Sequence, residues 1–375
     1  PELDGPFDLA GGAEAFKSRR CILRHMVFAL SAGSVKDIFT TLRVAGDGFR
    51  ELKAELQDGY VGFVGRFASG EHVAEVSFKL ALLVHDRAEL IATVYDTRVH
   101  GWLPLAGPQL VSHVRDAIVE AGFGGLRATA WEACPVEQFL RFVMPATGWK
   151  VPDTAQADLV SVEISREQIV LVCGRDVDPA ERQSFEREPP VGAVYAAEQV
   201  IEHRETEEIL GQGDAIAAYD AYLRQWTAGS GGRWVEHRLL ELGVTLARGL
   251  EATRDLAQEL LENNPEHIQA MLALASVAYR ESEWGDAEQY LSRVADLELK
   301  GGDPLSAVAA QLAAARIAEK VDPAEARANY ERVIERDRSS IIGHTGLFRL
   351  HQREESWEEA RKVGQRLSRL ELEPE

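Results

Sequence analysis

Residues 269–294, QAMLALASVAYRESEWGDAEQYLSRV, carry two apolar stripes of helical period joined by a short polar turn. Met271, Leu274, Ala275 and Ala278 recur at three- and four-residue intervals, and Ala287, Leu291 and Val294 repeat the pattern further on. That spacing gathers each set on one helix face, with small residues where two helices cross closely. The same arrangement recurs along the chain. Ala218, Thr253, Ala287, Ala326 and Ala360 are equivalent positions spaced 35, 34, 39 and 34 residues apart. Four places on from them stand Tyr222, Ala257, Leu291, Tyr330 and Gly364, and Trp284 and Trp357 each precede their alanine by three. A period in this range predicts stacked helical hairpins that bury their faces against neighbouring hairpins.

These residues resemble the tetratricopeptide repeat family. The turns Trp284-Gly285-Asp286-Ala287, Asp322-Pro323-Ala324-Glu325-Ala326 and Gly213-Asp214 carry the likeness, which covers 198–375 as about five repeats. The chain departs from the family pattern in three places. Glu205 and Thr206 stand where a large-small pair is expected, Gly364 replaces an aromatic residue, and Leu297 to Leu305 contains an insertion. The resemblance implies an interaction surface on the first helix of each pair. Carried onto this sequence, the partner-binding positions are Arg238, Leu242, Gln269, Leu272, Ser276, Tyr279, Arg280, Gln311, Arg349 and Arg353. The arginines suit a carboxylate or an acidic peptide, or pair with neighbouring glutamates, and the apolar positions suit a helix or an extended segment.

The chain has 375 residues, long for one domain, and 45% hydrophobic residues, enough for a sizeable core. Its net charge of −20 disfavours binding to nucleic-acid phosphates. No run of 18 apolar residues exists, so no membrane-spanning helix is expected. Cys21, Cys134 and Cys173 are odd in number and widely spaced, which favours buried free thiols and a reducing, cytoplasmic compartment. The first residue is Pro1 and not methionine, which keeps a removed signal segment and a periplasmic location open.

The front of the chain alternates with period two. A strand-like run spans Cys21 to Leu30, and Ser34 is placed to cap a helix through Leu42. Leu52, Ala54 and Leu56 share a face before the hairpin signal Asp58-Gly59. Val61, Phe63 and Phe67 follow, then a long strand through Val76, Phe78, Leu80, Leu82 and Val84, and another from Leu90 to Val99. A helix is predicted over 108–121, a strand over 126–133, a helix over 135–143 and a closing hairpin over 159–164 and 168–173. The expected fold is an α+β domain, with a curved antiparallel sheet and two or three helices, followed by an all-α solenoid. The expected division is an N-terminal segment 1–20, a sheet domain 21–178, a linker 179–197 and repeats 198–375.

The order of two hairpins, Gly101-Trp102-Leu103-Pro104 and a long helix resembles the bacterial tubular lipid-binding domains of the LmeA-like type. That resemblance implies a groove for acyl chains, lined here by Val61, Phe63, Phe67, Val76, Phe78, Leu80 and Leu82. The same residues are what any sheet needs to bury against Leu110, Val114 and Ile118, and apolarity on both faces of a strand more often means cover on both faces.

Catalytic motifs are missing from the sequence. There is no His-Glu-x-x-His, Cys-x-x-Cys, phosphate loop or Gly-x-Ser-x-Gly, and the ten histidines do not pair at metal-ligand spacings. No catalytic residues, metal or cofactor are expected. The sequence therefore reads as a non-enzymatic scaffold or adaptor whose repeats bind a partner protein. The alternative is a lipid-binding or lipid-transfer protein whose repeats recruit it to a complex.

Overall fold

The structure is a computed structural model and describes residues 2–3, 21–22, 25–35, 48–84, 89–120, 131–135, 159–174, 190–246 and 249–372. The strands are β1 (Glu2–Leu3), β2 (Cys21–Ile22), β3 (His25–Ser31), β4 (Phe49–Gln57), β5 (Tyr60–Ser69), β6 (His72–Val84), β7 (Glu89–His100), β8 (Trp131–Pro135), β9 (Leu159–Ile164) and β10 (Gln168–Gly174). One curved sheet was expected; the strands instead divide into a five-stranded sheet β4-β5-β6-β7-β8, a three-stranded sheet β3-β10-β9 and the short pair β1-β2. Gln168 pairs with Ser31 and Gly174 with His25, so the closing hairpin takes the first long strand into a sheet of its own. Both hairpin predictions hold, and Gly59 sits at φ 91°, a value that favours glycine, in the β4–β5 turn.

A helical turn begins at Ala32, and Ser31 rather than Ser34 caps it: the Ser31 hydroxyl accepts from the Ser34 N–H at 3.2 Å. The rest of that predicted helix, the helix expected over 135–143 beyond Pro135 (which ends β8) and the linker up to residue 189 lie outside the described residues. Helix α1 spans Gly107–Glu120 as predicted, and Pro190 leads into α2 (Val191–Glu202), so the last part of the expected linker is helical.

Ten further helices follow: α3 (Arg204–Gly211), α4 (Ala215–Thr227), α5 (Arg233–Leu246), α6 (Leu250–Asn263), α7 (Ile268–Arg280), α8 (Trp284–Lys300), α9 (Pro304–Ala318), α10 (Pro323–Arg336), α11 (Ile341–Arg353) and α12 (Trp357–Leu372). Helices α4 to α12 form a helical solenoid. The five second helices α4, α6, α8, α10 and α12 each begin three residues before a marker position, and all five markers are buried. Side chains set the starts: Asp214 and Asp322 accept from the N–H of Ala217 and Ala324. The larger residues four places on seal the stack, with Tyr222, Leu291 and Tyr330 all at 0% exposure.

The chain forms two compact units, and they do not coincide with a front and a back half. The first comprises 1–63, 78–97 and 108–213; the second comprises 64–77, 98–107 and 214–375. The second unit thus combines the helices α4–α12 with short pieces of β5, β6 and β7 and the loop after β7. The expected boundary near 178 to 198 assigned those pieces to the sheet domain.

Candidate functional site

Within the second unit, α9 holds strand residues from the front of the chain, and α5 and α7 hold the loop after β7. Alternation along the strands selects what meets the helices. Val64, Arg66, Glu75 and Ser77 occupy one face of β5 and β6, and Arg98 and His100 lie on the matching face of β7. Val64 packs against Leu305 and Ala309 of α9. Glu75, only 3% exposed, receives the Arg316 guanidinium at 2.5 Å and lies 3.9 Å from Arg66. Arg98 pairs with the buried Glu298 near the end of α8. Desolvation offsets most of the Coulomb gain of these buried pairs, whereas removal of one partner leaves an uncompensated buried charge.

A hydroxyl chain runs beside them. Asp303 caps α9 by accepting from the Ser306 N–H at 3.1 Å and from the Ser306 hydroxyl at 3.0 Å. The Ser306 and Ser77 hydroxyls lie 3.1 Å apart, and Ser77 Oγ is 3.0 Å from His100 Nε2. Asp, His and Ser gather here, yet the order is wrong for nucleophilic catalysis, where histidine stands between acid and hydroxyl. All four are buried, so no hydroxyl is presented to a substrate. Burial first, and then the Arg98 charge, lowers the His100 pKa to about 3, and Asp303 opposes the shift. The imidazole is therefore neutral.

The loop after β7 docks by side-chain contacts to backbone. The Ser276 hydroxyl of α7 donates to Gly101 O, Trp102 Nε1 donates to Val244 O at 3.2 Å, and Glu241 of α5 accepts from the Gly107 N–H. Arg280 lies over the Trp102 ring at 4.6 Å, and burial depresses its pKa.

The ten candidate partner positions therefore fall into three groups, buried, half-buried and exposed. Leu242, Leu272, Ser276 and Gln311 are buried, and Arg238 is buried against Glu241 at 2.7 Å and over the Trp234 ring. Gln311 bonds Asn329 and Arg336 inside the stack. Gln269, Tyr279 and Arg280 are half-buried, Tyr279 edge-on to Trp284 with Lys320 above both rings. Arg349 and Arg353 differ: their side chains are 54% and 59% exposed, and both reach Glu319, at 3.2 and 3.4 Å. Glu319 also accepts from the Tyr330 hydroxyl at 2.6 Å. Burial, then that bond, raises the tyrosine pKa.

Of the seven candidate lipid contacts, Val61, Phe63, Phe67, Val76 and Phe78 are each at most 2% exposed; Leu80 and Leu82 are half-buried. Phe63 and Phe78 stack at 4.7 Å in the first unit, while Phe67 and Val76 belong to the second. From Ala74 to Phe78 five consecutive residues are buried, so β6 is covered on both faces there. Among the described residues no group of three or more His, Cys, Asp or Glu side chains is placed to hold a metal ion, and no helix is long and apolar enough to cross a membrane. Cys173 is a buried free thiol whose pKa burial raises to about 11. No family model and no curated protein matches the chain.

Sequence reasoning missed Arg66, Glu75, Ser77, Arg98, His100, Glu298 and Asp303. Two signals pointed there. Helix α9 is mostly apolar on all sides, interrupted by Ser306, Gln311 and Arg316, which predicts cover on more than one side. The insertion between Leu297 and Leu305 contributes Glu298 and Asp303, the two acids that meet β7 and cap α9.

Proposed function

We propose that this protein is a non-enzymatic adaptor whose helical repeats bind a partner polypeptide, and that α11 is the contact face. What supports the reading is that α5 and α7 already hold the loop after β7 by bonds between their side chains and its backbone, Ser276 to Gly101 O and Glu241 to the Gly107 N–H, while α9 holds strand side chains through Arg316 and Ser306. Such bonds recognise polypeptide as such, and ion pairs add selectivity. On α11 the corresponding stripe is uncovered: Thr345, Arg349, Gln352 and Arg353 are exposed. Arg349 and Arg353 stand one turn apart, and a guanidinium offers five N–H donors. Each has donors to spare beyond Glu319, so the partner is an acidic segment. The tetratricopeptide-like pattern agrees with this use.

The test compares pull-downs by the full chain and by Arg349→Glu/Arg353→Glu, with quantitative mass spectrometry. Proteins lost from the double variant, at unchanged melting temperature, identify the partner. Identical eluates from the two chains sink the reading.

A further inference from the structure

We propose that the paired strand ends Val64–Ser77 are a built-in occupant of a polypeptide-binding face on α9. The partner that displaces them is an extended segment carrying a carboxylate and, two residues on, a hydroxyl. The proposal rests on the adaptor reading only in taking the helices as a polypeptide-binding stack. It concerns a different face from α11, so each fails alone.

The recognition pattern is written in the docked strand. Alternation places Glu75 and Ser77 on one face, where the first meets Arg316 and the second Ser306, at opposite ends of α9. The chemistry separates this contact from the surrounding core. The helix stack closes on large apolar clusters, such as Met271, Ala287, Leu291, Val294 and Ala313. The strand ends instead meet α9 through the Glu75–Arg316 ion pair and the Ser77–Ser306 hydroxyl pair, and a small apolar cluster joins Val64 to Leu305 and Ala309. Exchange of Val64–Ser77 for a segment of the same pattern keeps Arg316 compensated while Arg98 stays on Glu298, which is the condition that removal without replacement violates. The hairpin tip supplies the starting point: Gly70, Glu71 and His72 are exposed and Val73 is 37% exposed. Because the occupant is covalently attached, its effective concentration is high and a competitor in trans binds weakly until the occupant is loosened.

The experiment uses a labelled peptide with the sequence of residues 71–80, EHVAEVSFKL, titrated by fluorescence anisotropy into the full chain. Glu75→Gln in the chain should tighten peptide binding about tenfold, because the internal competitor loses its charge. In Ser77→Cys/Ser306→Cys, oxidation should weaken binding about tenfold relative to the reduced protein, since a closed disulfide locks the occupant down. A peptide with glutamine in place of its second glutamate should lose binding to every form. Equal affinity for all forms of the chain overturns the proposal, as does absence of binding to a folded Glu75→Gln chain. Native-state hydrogen exchange on the unaltered chain gives a reading that does not depend on any variant folding. Amides of 72–77 that open while those of α7–α9 stay protected support it; opening only together with α7–α9 overturns it.

Discussion

Helices α9 and α11 hold the same place in successive helix pairs, and their surroundings are opposite. Every residue of α9 from Leu305 to Ala318 except Arg316 is buried, while α11 keeps an exposed stripe of Thr345, Arg349, Gln352 and Arg353. Position in the repeat does not decide the difference. What differs is whether chain from outside the repeats lies on the first-helix face, and the composition of each helix records the outcome. Leu305 to Ala318 contains seven alanines and little that is polar, whereas α11 alternates an apolar and a polar stripe. A first-helix face therefore cannot be assigned to an external partner from its repeat position alone.

The largest effect should come from the covered face. Arg316→Ala removes the closer guanidinium from Glu75, a carboxylate that stays buried, and such a loss costs about 3 kcal/mol. Urea denaturation measures it. A loss below about 1 kcal/mol would place this pair among ordinary surface pairs and erase the contrast with α11.

Gly346→Ala probes the core that both helices share. A Cβ there would overlap the ring of Tyr330, which is fully buried and held by its bond to Glu319. Overpacking costs about 3 kcal/mol, and the better helix propensity of alanine returns about 1, so the net loss is about 2. Gly364→Ala, also helical, would place its Cβ 3.3 Å from Phe348, whose ring is half-buried and free to give, and should change stability by under about 1 kcal/mol.

Acid should act on the covered face as well. His100 titrates near pH 3 in the folded protein against 6.5 in the unfolded chain. The unfolded state binds more protons between those values, so stability is intact above pH 6.5 and falls as pH drops toward 3. By pH 5 the loss from this residue is about 2 kcal/mol. His100→Gln should flatten the profile between pH 6.5 and 5 by that amount; an unchanged slope would show that the imidazole is not held neutral.

The repeat half was legible because its signals are local. Each second helix begins three residues before its marker, and a capping aspartate or a tryptophan stands near the start of most of them. Strand positions in the front half were legible for the same reason, through alternation and the Asp58-Gly59 turn. The docking of one onto the other was not. Ser77 and Ser306 are 229 residues apart, and Arg66, Glu75 and Ser77 look like the solvent face of an amphipathic strand. Only the mostly apolar, alanine-rich sequence of α9 and the insertion carrying Glu298 and Asp303 marked where that polar face would be buried. The capping error at Ser34 had a simpler origin: Ser31 and Ser34 are three residues apart and either hydroxyl suits an N-cap.

Lipid binding is the next discriminating measurement. The five residues at most 2% exposed are already covered by protein, so organic extraction of the purified chain should release no stoichiometric phospholipid or fatty acid. One equivalent of lipid would mean that the sheet opens to expose Phe63 and Phe78.

The smallest expected effect belongs to the uncovered helix. Arg349→Ala removes one of two exposed guanidinium groups from Glu319, and solvent screens the pair. Glu319 keeps Arg353 and the Tyr330 hydroxyl, so the change should cost less than about 0.5 kcal/mol in urea denaturation. Under the proposed adaptor function, partner capture should fall all the same, because the arginine is exposed and adds little to the fold. A stability loss near that of Arg316→Ala would mean that α11 is braced as α9 is. The exposed stripe would then be part of the fold, and the contrast between the two helices would disappear.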